Sequence, residues 1–184
     1  MAQTQTQTQT QTQAQTTAPA HQQPGFNPDQ IRWQPFGDAP HFAYHIQQVD
    51  LAQGIADVLF RFDAGQRIIL HRHMALNHTF VVRGTHVIYH ADGSVKERRP
   101  TGSYTVSPAD TTPHTEGGGE DADAIVLFSM RPEPGQLLYE LLDDSGQKVG
   151  EIDLPLLHQL WLAQQEAQAE QAAGKAQVPA TTPA

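Results

Sequence analysis

Between residues 42 and 131 the chain is punctuated by turn signals at Ala64-Gly65, Gly84, Asp92-Gly93, Thr101-Gly102 and 117–119. Such signals, spaced roughly 8–18 residues apart, leave room for strands but not for the helices of βαβ units. The intervening segments agree. In "IADVLFRFDAG", Ala56, Val58, Phe60 and Phe62 fall on one face and Asp57, Arg61 and Asp63 on the other, the alternation of a half-buried strand. "RIILHRH", "HTFVVRG", "THVIYH", "SVKERRP", "SYTVSP" and "DAIVLFSMRP" follow as further strands. The expected fold class is all-β, a single sandwich or small barrel.

The ends differ in texture. Residues 1–28 are a Gln/Thr repeat running into Pro and Gly, with almost nothing to bury, and are expected to be disordered. Residues 29–165 are expected to form one domain, and residues 166–184 a fraying helix end and a disordered tail. Beyond Pro134-Gly135, "QLLYELLDD" and "QKVGEID" read as a hairpin turning at Ser145-Gly146. Asp153 can cap a helix with Pro155 in its first turn and Gly174 as its stop. Leu157, Leu160 and Trp161 share one face of that helix and should pack on the strands.

Composition excludes several functions. The formal net charge is −9, which opposes binding to nucleic acid because phosphates call for a basic stripe. The one basic cluster, "KERR" at 96–99, reads as a solvated strand end. Cysteine is absent, so thiolate chemistry is too. No charged and apolar leader opens the chain, and no apolar run of about 18 residues occurs. A soluble cytoplasmic protein without a membrane partner is expected.

One segment stands out chemically. "GQRIILHRHMALNHTFVVRG" (65–84) carries His71, His73 and His78. Alternate strand residues point the same way with Cα atoms about 6.5–7 Å apart, so His71 and His73 can converge on one metal ion. Arg67 and Ile69 share their face by the same count, while Ile68, Leu70 and Arg72 point outward. His78 opens the next strand close to the pair. His114, in "GSYTVSPADTTPHTEGG" (102–118), is the downstream candidate. His21, His41, His45, His86, His90 and His158 read as structural or surface residues. Inward positions give Phe60, Phe62, Phe80, Val82, Ile88 and Leu127 as pocket walls, with Arg67 near the mouth.

The two histidine segments resemble the paired motifs of the cupin superfamily, small jelly-roll β-barrels with a metal inside. The first motif, G-x5-H-x-H-x(3,4)-E-x6-G, is matched through His71 and His73, with His78 at or beside the glutamate position. The second, G-x5-P-x-G-x2-H-x3-N, is matched through Gly102, Pro108 and His114, with one extra residue, Asp110 for the glycine and no final asparagine. Within cupins the chain resembles the acetylacetone dioxygenase and 2,4'-dihydroxyacetophenone dioxygenase group, through "VLFRFDAG" leading into "HRH" and the ending "ELLDDSGQKVGEIDLPLLHQLWLA". That resemblance implies a non-haem Fe(II) held by His71, His73 and His114, with His78 as a fourth ligand or a neighbour of the site.

Three neutral imidazoles would leave the full +2 charge on the metal and favour an anionic chelating substrate. The implied reaction is C–C cleavage by O₂ of a small enolisable carbonyl compound, a β-diketone or a hydroxyacetophenone. The ligand types leave Zn, Ni, Mn and Cu open, and the alternatives are a non-catalytic metal-binding sensor or a quercetinase-like or isomerase-like cupin. Ile68 and Leu70, read as outward, fit a homo-oligomer.

Overall fold

The segment from Ile55 shows how the sequence becomes a sheet. Ala56, Val58, Phe60 and Phe62 are all buried on strand β3 (Ile55–Phe62), and each large side chain so buried contributes about 1.5–3 kcal/mol. The structure, a computed structural model, describes residues 27–176. Of the segments expected to be disordered or fraying, 1–26 and 177–184 lie outside the described residues, and 166–176 are helical.

Around β3 stand β1 (Gln34–Pro35), β2 (Phe42–Asp50), β4 (His71–His73), β5 (Leu76–Arg83), β6 (Thr85–His90) and β7 (Val95–Pro100). They are followed by β8 (Tyr104–Ser107), β9 (Asp110–Gly118), β10 (Ala124–Arg131), β11 (Tyr139–Leu142), β12 (Lys148–Ile152) and helix α1 (Leu154–Ala176). Two six-stranded sheets result, ordered β1-β2-β3-β10-β5-β8 and β12-β11-β4-β9-β6-β7. They face each other as a jelly-roll sandwich. Phe62 of the first sheet stacks on His86 of the second, with ring centroids 5.1 Å apart, and Phe128 lies 6.2 Å from His73.

The hairpin and helix form as expected. Asp143 accepts from the backbone of Ser145 and Gln147 at the β11–β12 turn, and the Asp153 carboxylate accepts from the Leu156 N–H at 2.8 Å, capping α1. Leu157 is buried, with Leu160 and Trp161 packed beside it. One turn further on, the buried Gln164 bonds both the N–H and the C=O of Ile46, next to a register shift in β2.

Some expectations give way. The segment before His71 is not a strand: Arg67 makes one isolated bridge to Gly117, and Ile68 packs against the core instead of pointing outward. Gly117 and Gly118 are no turn but the end of β9, where another backbone crosses. A Cβ at Gly117 would stand 2.0 Å from the Gln66 carbonyl oxygen, so only glycine fits. Helix α1 passes Gly174, the expected stop, and runs to Ala176, the last described residue.

Candidate metal centre

Strand β4 pairs with β9 so that His71 lies opposite His114. Both strands turn alternate residues into the sandwich, which brings His71, His73, His114 and Glu116 together in the interior. All four are buried, and one donor atom from each lies within 4.8 Å of the others. The Glu116 carboxylate stands 3.6 Å from His71 Nε2, 3.7 Å from His73 Nε2 and 3.8 Å from His114 Nε2.

The hydrogen bonds fix which nitrogens point inward. His71 Nδ1 lies 2.9 Å from the Ile69 carbonyl and His114 Nδ1 3.1 Å from the Thr112 carbonyl. A carbonyl only accepts, so each Nδ1 carries the proton and each neutral ring leaves a lone pair on Nε2. His73 Nδ1 stands 3.1 Å from the Asn77 side-chain amide, whose own oxygen is otherwise unpartnered. Turned so that its oxygen faces the ring, the amide accepts the Nδ1 proton, which frees His73 Nε2 as well. His71 Nε2 and His73 Nε2 are then 3.1 Å apart with their lone pairs converging. A cation between them turns that repulsion into ligation, and the donor set fits a divalent metal.

Charge supports the same arrangement at His73 and Glu116. Burial, reinforced by the neighbouring histidines and opposed by Glu116, lowers His73 to about 3, so it is neutral and ready to bind. Burial opposes ionisation of Glu116, but His86, His114 and His71 outweigh it and hold the carboxyl well below its usual range. Burial also disfavours a charged His114, yet the hydrogen bond and charge of Glu116 leave it raised. Burial, with the Glu116 charge adding to it, pushes the Tyr139 hydroxyl well above its ordinary value; its ring meets His73 edge-on at 4.9 Å.

Two cavities meet at the cluster, and Glu116 lines both. One, of about 50 Å³, is walled by Phe36, Phe42, Phe60, Phe62, Ile69 and Tyr139 among others and touches His71. The other, of about 60 Å³, touches His73 and His114 and is walled by Asn77, Thr79, Ile88, Lys96, Glu97 and Arg99 with Ser107, Pro108 and Asp110.

The structure thus gathers His71, His73 and His114 and leaves His78 out. His78 is on the outer face of β5, its Nδ1 2.6 Å from the Tyr104 hydroxyl; the inward neighbour is Asn77. Phe60 and Phe62 border the apolar cavity and Ile88 the polar one. Phe80, Val82 and Leu127 are one residue out of register with the interior, which takes Val81, Val126 and Phe128. Phe80 is 41% exposed and lies opposite Leu127 on the outer face. Arg67 is exposed over the Tyr89 ring, away from either cavity.

Sequence reasoning missed Glu116, Asn77 and the closeness of His86. His86 is fully buried, its Nε2 3.4 Å from Glu116 Oε1. The available signal for Glu116 was its place two residues after His114, on the same strand face. Its carboxylate also revises the expected charge: with Glu116 as fourth donor a divalent metal keeps a net +1 rather than +2.

Comparison with known proteins agrees with this fold. The profile described as the ChrR cupin-like domain matches residues 10–132. Among solved structures, an RmlC-like cupin protein from Ralstonia eutropha superposes with a TM-score of 0.61 at 19% identity, over 77% of this chain and 85% of its own. A putative acetylacetone dioxygenase from Methylibium petroleiphilum gives 0.56 at 17%, over 72% and 90%. An acetylacetone dioxygenase from Acinetobacter johnsonii gives 0.56 at 14%, over 83% and 99%. At these identities the likeness concerns the fold. No curated protein matches the sequence.

Proposed function

The chain belongs to the ChrR cupin-like domain family, and from that footing we propose that it is a metal-dependent dioxygenase cleaving a C–C bond in a small enolisable carbonyl compound. The observation that carries this reading is the buried cluster of His71, His73, His114 and Glu116 bordered on both sides by cavities. Residues 29–165 form the working unit, and Fe(II) is the metal proposed, because the reaction requires O₂ activation. When bound, the metal supplies a Lewis acid that acidifies the substrate's C–H and a template for its oxygens.

The chain's own residues do the rest. His71 and His114 are aimed by the Ile69 and Thr112 carbonyls, and His73 by Asn77. Glu116 removes one unit of positive charge and so moderates the preference for anionic enolates. The aromatic wall of the apolar cavity excludes water from the reacting carbon. For a β-diketone, both atoms of O₂ end in the products, one in a carboxylic acid and one in an α-oxo aldehyde.

A second reading has its own support. Four protein donors can close a tetrahedral zinc shell, which suits a non-catalytic sensor. Anaerobic loading with Fe(II), followed by O₂-uptake assays on β-diketones and hydroxyacetophenones, separates the two. Uptake matched to substrate loss supports the dioxygenase; no uptake with any compound, together with tight zinc retention, supports the sensor.

A cytoplasmic location and self-association complete the proposal. Among the described residues no helix is long and apolar enough to cross a membrane. Phe80, Tyr104 and Val106 leave an apolar outer face on β5 and β8 for a second copy, which light scattering would detect.

A further inference from the structure

The basic cluster at 96–99 is solvated over Lys96, Glu97 and Arg98, as its composition suggests, but Arg99 is drawn inward. On β7, Glu97 pairs with Ile88 and Val95 with Tyr89, so Lys96 is left between them as an extra residue. Such a bulge re-aims a side chain. Glu97 and Arg99 lie opposite the buried Ile88 and His86, on the inner face, and the bulge lets Lys96 join them. All three line the polar cavity alongside His73, His114 and Glu116.

Arg99 is tucked in, with its side chain 14% exposed. One terminal nitrogen donates to Glu97 at 2.6 Å and the other reaches the Thr79 hydroxyl only at 3.4 Å. Its Nε is buried and bonded to nothing. Lys96 Nζ stands 3.7 Å from the Asp110 carboxylate. A buried donor without an acceptor is unfavourable unless a ligand completes it, and a guanidinium fork matches a carboxylate. Glu97 and Asp110 offset the two cations, so the surplus charge of the chamber is the net +1 that a divalent metal would keep beside Glu116, which suits a monoanion better than a phosphate dianion.

We propose that Lys96 and Arg99 form an anion-binding end of the polar cavity, and that the substrate is a small oxo acid whose carboxylate they hold. Its carbonyl end then lies toward His73, His114 and Glu116. This rests on the dioxygenase reading and narrows its substrate class from neutral diketones to carboxylate-bearing ones.

The test compares two β-diketones differing by one carboxylate, acetylacetone and 2,4-dioxopentanoate, titrated calorimetrically into Fe(II)-loaded full-length protein without oxygen. The carboxylate-bearing compound is expected to bind at least about 10-fold more tightly. In Arg99→Gln, with folding checked by circular dichroism, that preference should vanish; in the exposed Lys96→Gln it should fall by roughly 3-fold. Equal binding of the two compounds, or a preference that survives both substitutions, overturns the anion site while leaving the dioxygenase reading standing. Failure of both compounds to bind, with no oxygen uptake, overturns both. Should Arg99→Gln not fold, an undiminished preference in Lys96→Gln overturns the proposal alone.

Discussion

The two cavities that meet at Glu116 are built on opposite terms. The apolar one is walled by the side chains that hold the sandwich together: Phe60 and Phe62 of β3, Tyr44 of β2 and Leu157 of α1. The polar one borrows from the margins, with Lys96, Glu97 and Arg99 on β7, an edge strand of one sheet, and Ser107 at the end of β8, an edge strand of the other. Changing the first therefore changes stability, whereas changing the second changes what the site recognises. A fold can keep its core fixed and vary its specificity only if the two are separated in this way.

The largest expected effect tests the apolar half. Phe62 is 1% exposed, stacks on His86 and lies 5.3 Å from the Phe42 ring. Phe62→Ala should cost about 3–5 kcal/mol of stability, read as a lower urea midpoint at unchanged m-value. A loss below about 1 kcal/mol would mean that this wall is not part of the core, and the division between the two halves would fail. Glu116→Ala comes next, since Glu116 belongs to both halves. Metal affinity should drop on the order of 100-fold, measured by competition with a chelating dye. Retention of full affinity would remove Glu116 from the proposed ligand set.

Asn77→Ala sharpens the comparison from the polar side. Its amide holds His73 by Nδ1 without touching the metal position, so affinity should fall about 10-fold. The unfolding midpoint should move much less than for Phe62→Ala. A stability loss as large as that of Phe62→Ala would assign Asn77 to the core.

Much of this was legible in the sequence, and the misses on β5 share one cause. Period-two alternation within β3, and the H-x-H of β4, could be read directly because neither strand is interrupted. Between His73 and Asn77 the chain leaves one sheet and enters the other, and alternation cannot be counted through such a crossing. Counting straight through it sets β5 one residue off, which turns His78, Phe80 and Val82 inward and hides Asn77. Glu116 was lost differently. The glycines after it read as a turn, when in fact β9 continues through them because the backbone at Gln66 crosses over Gly117. Local composition does not reveal a contact made by a segment 50 residues away.

The smallest expected effect is the most exacting check on that parity. His78 lies on the outer face of β5, opposite Ser129 of β10 and Val106 of β8, with the Tyr104 hydroxyl at its Nδ1. Replacing it leaves no buried group unpaired and opens no cavity, because Tyr104 is 63% exposed and can turn to water. His78→Ala should leave the metal content per chain unchanged and shift stability by no more than about 0.5 kcal/mol, as elemental analysis and urea unfolding would report. Loss of metal in His78→Ala but not in Asn77→Ala would require β5 to slip by one residue. Phe80 and Val82 would then face inward, Thr79 would leave the polar cavity, and Arg99 would lose one of its few contacts there.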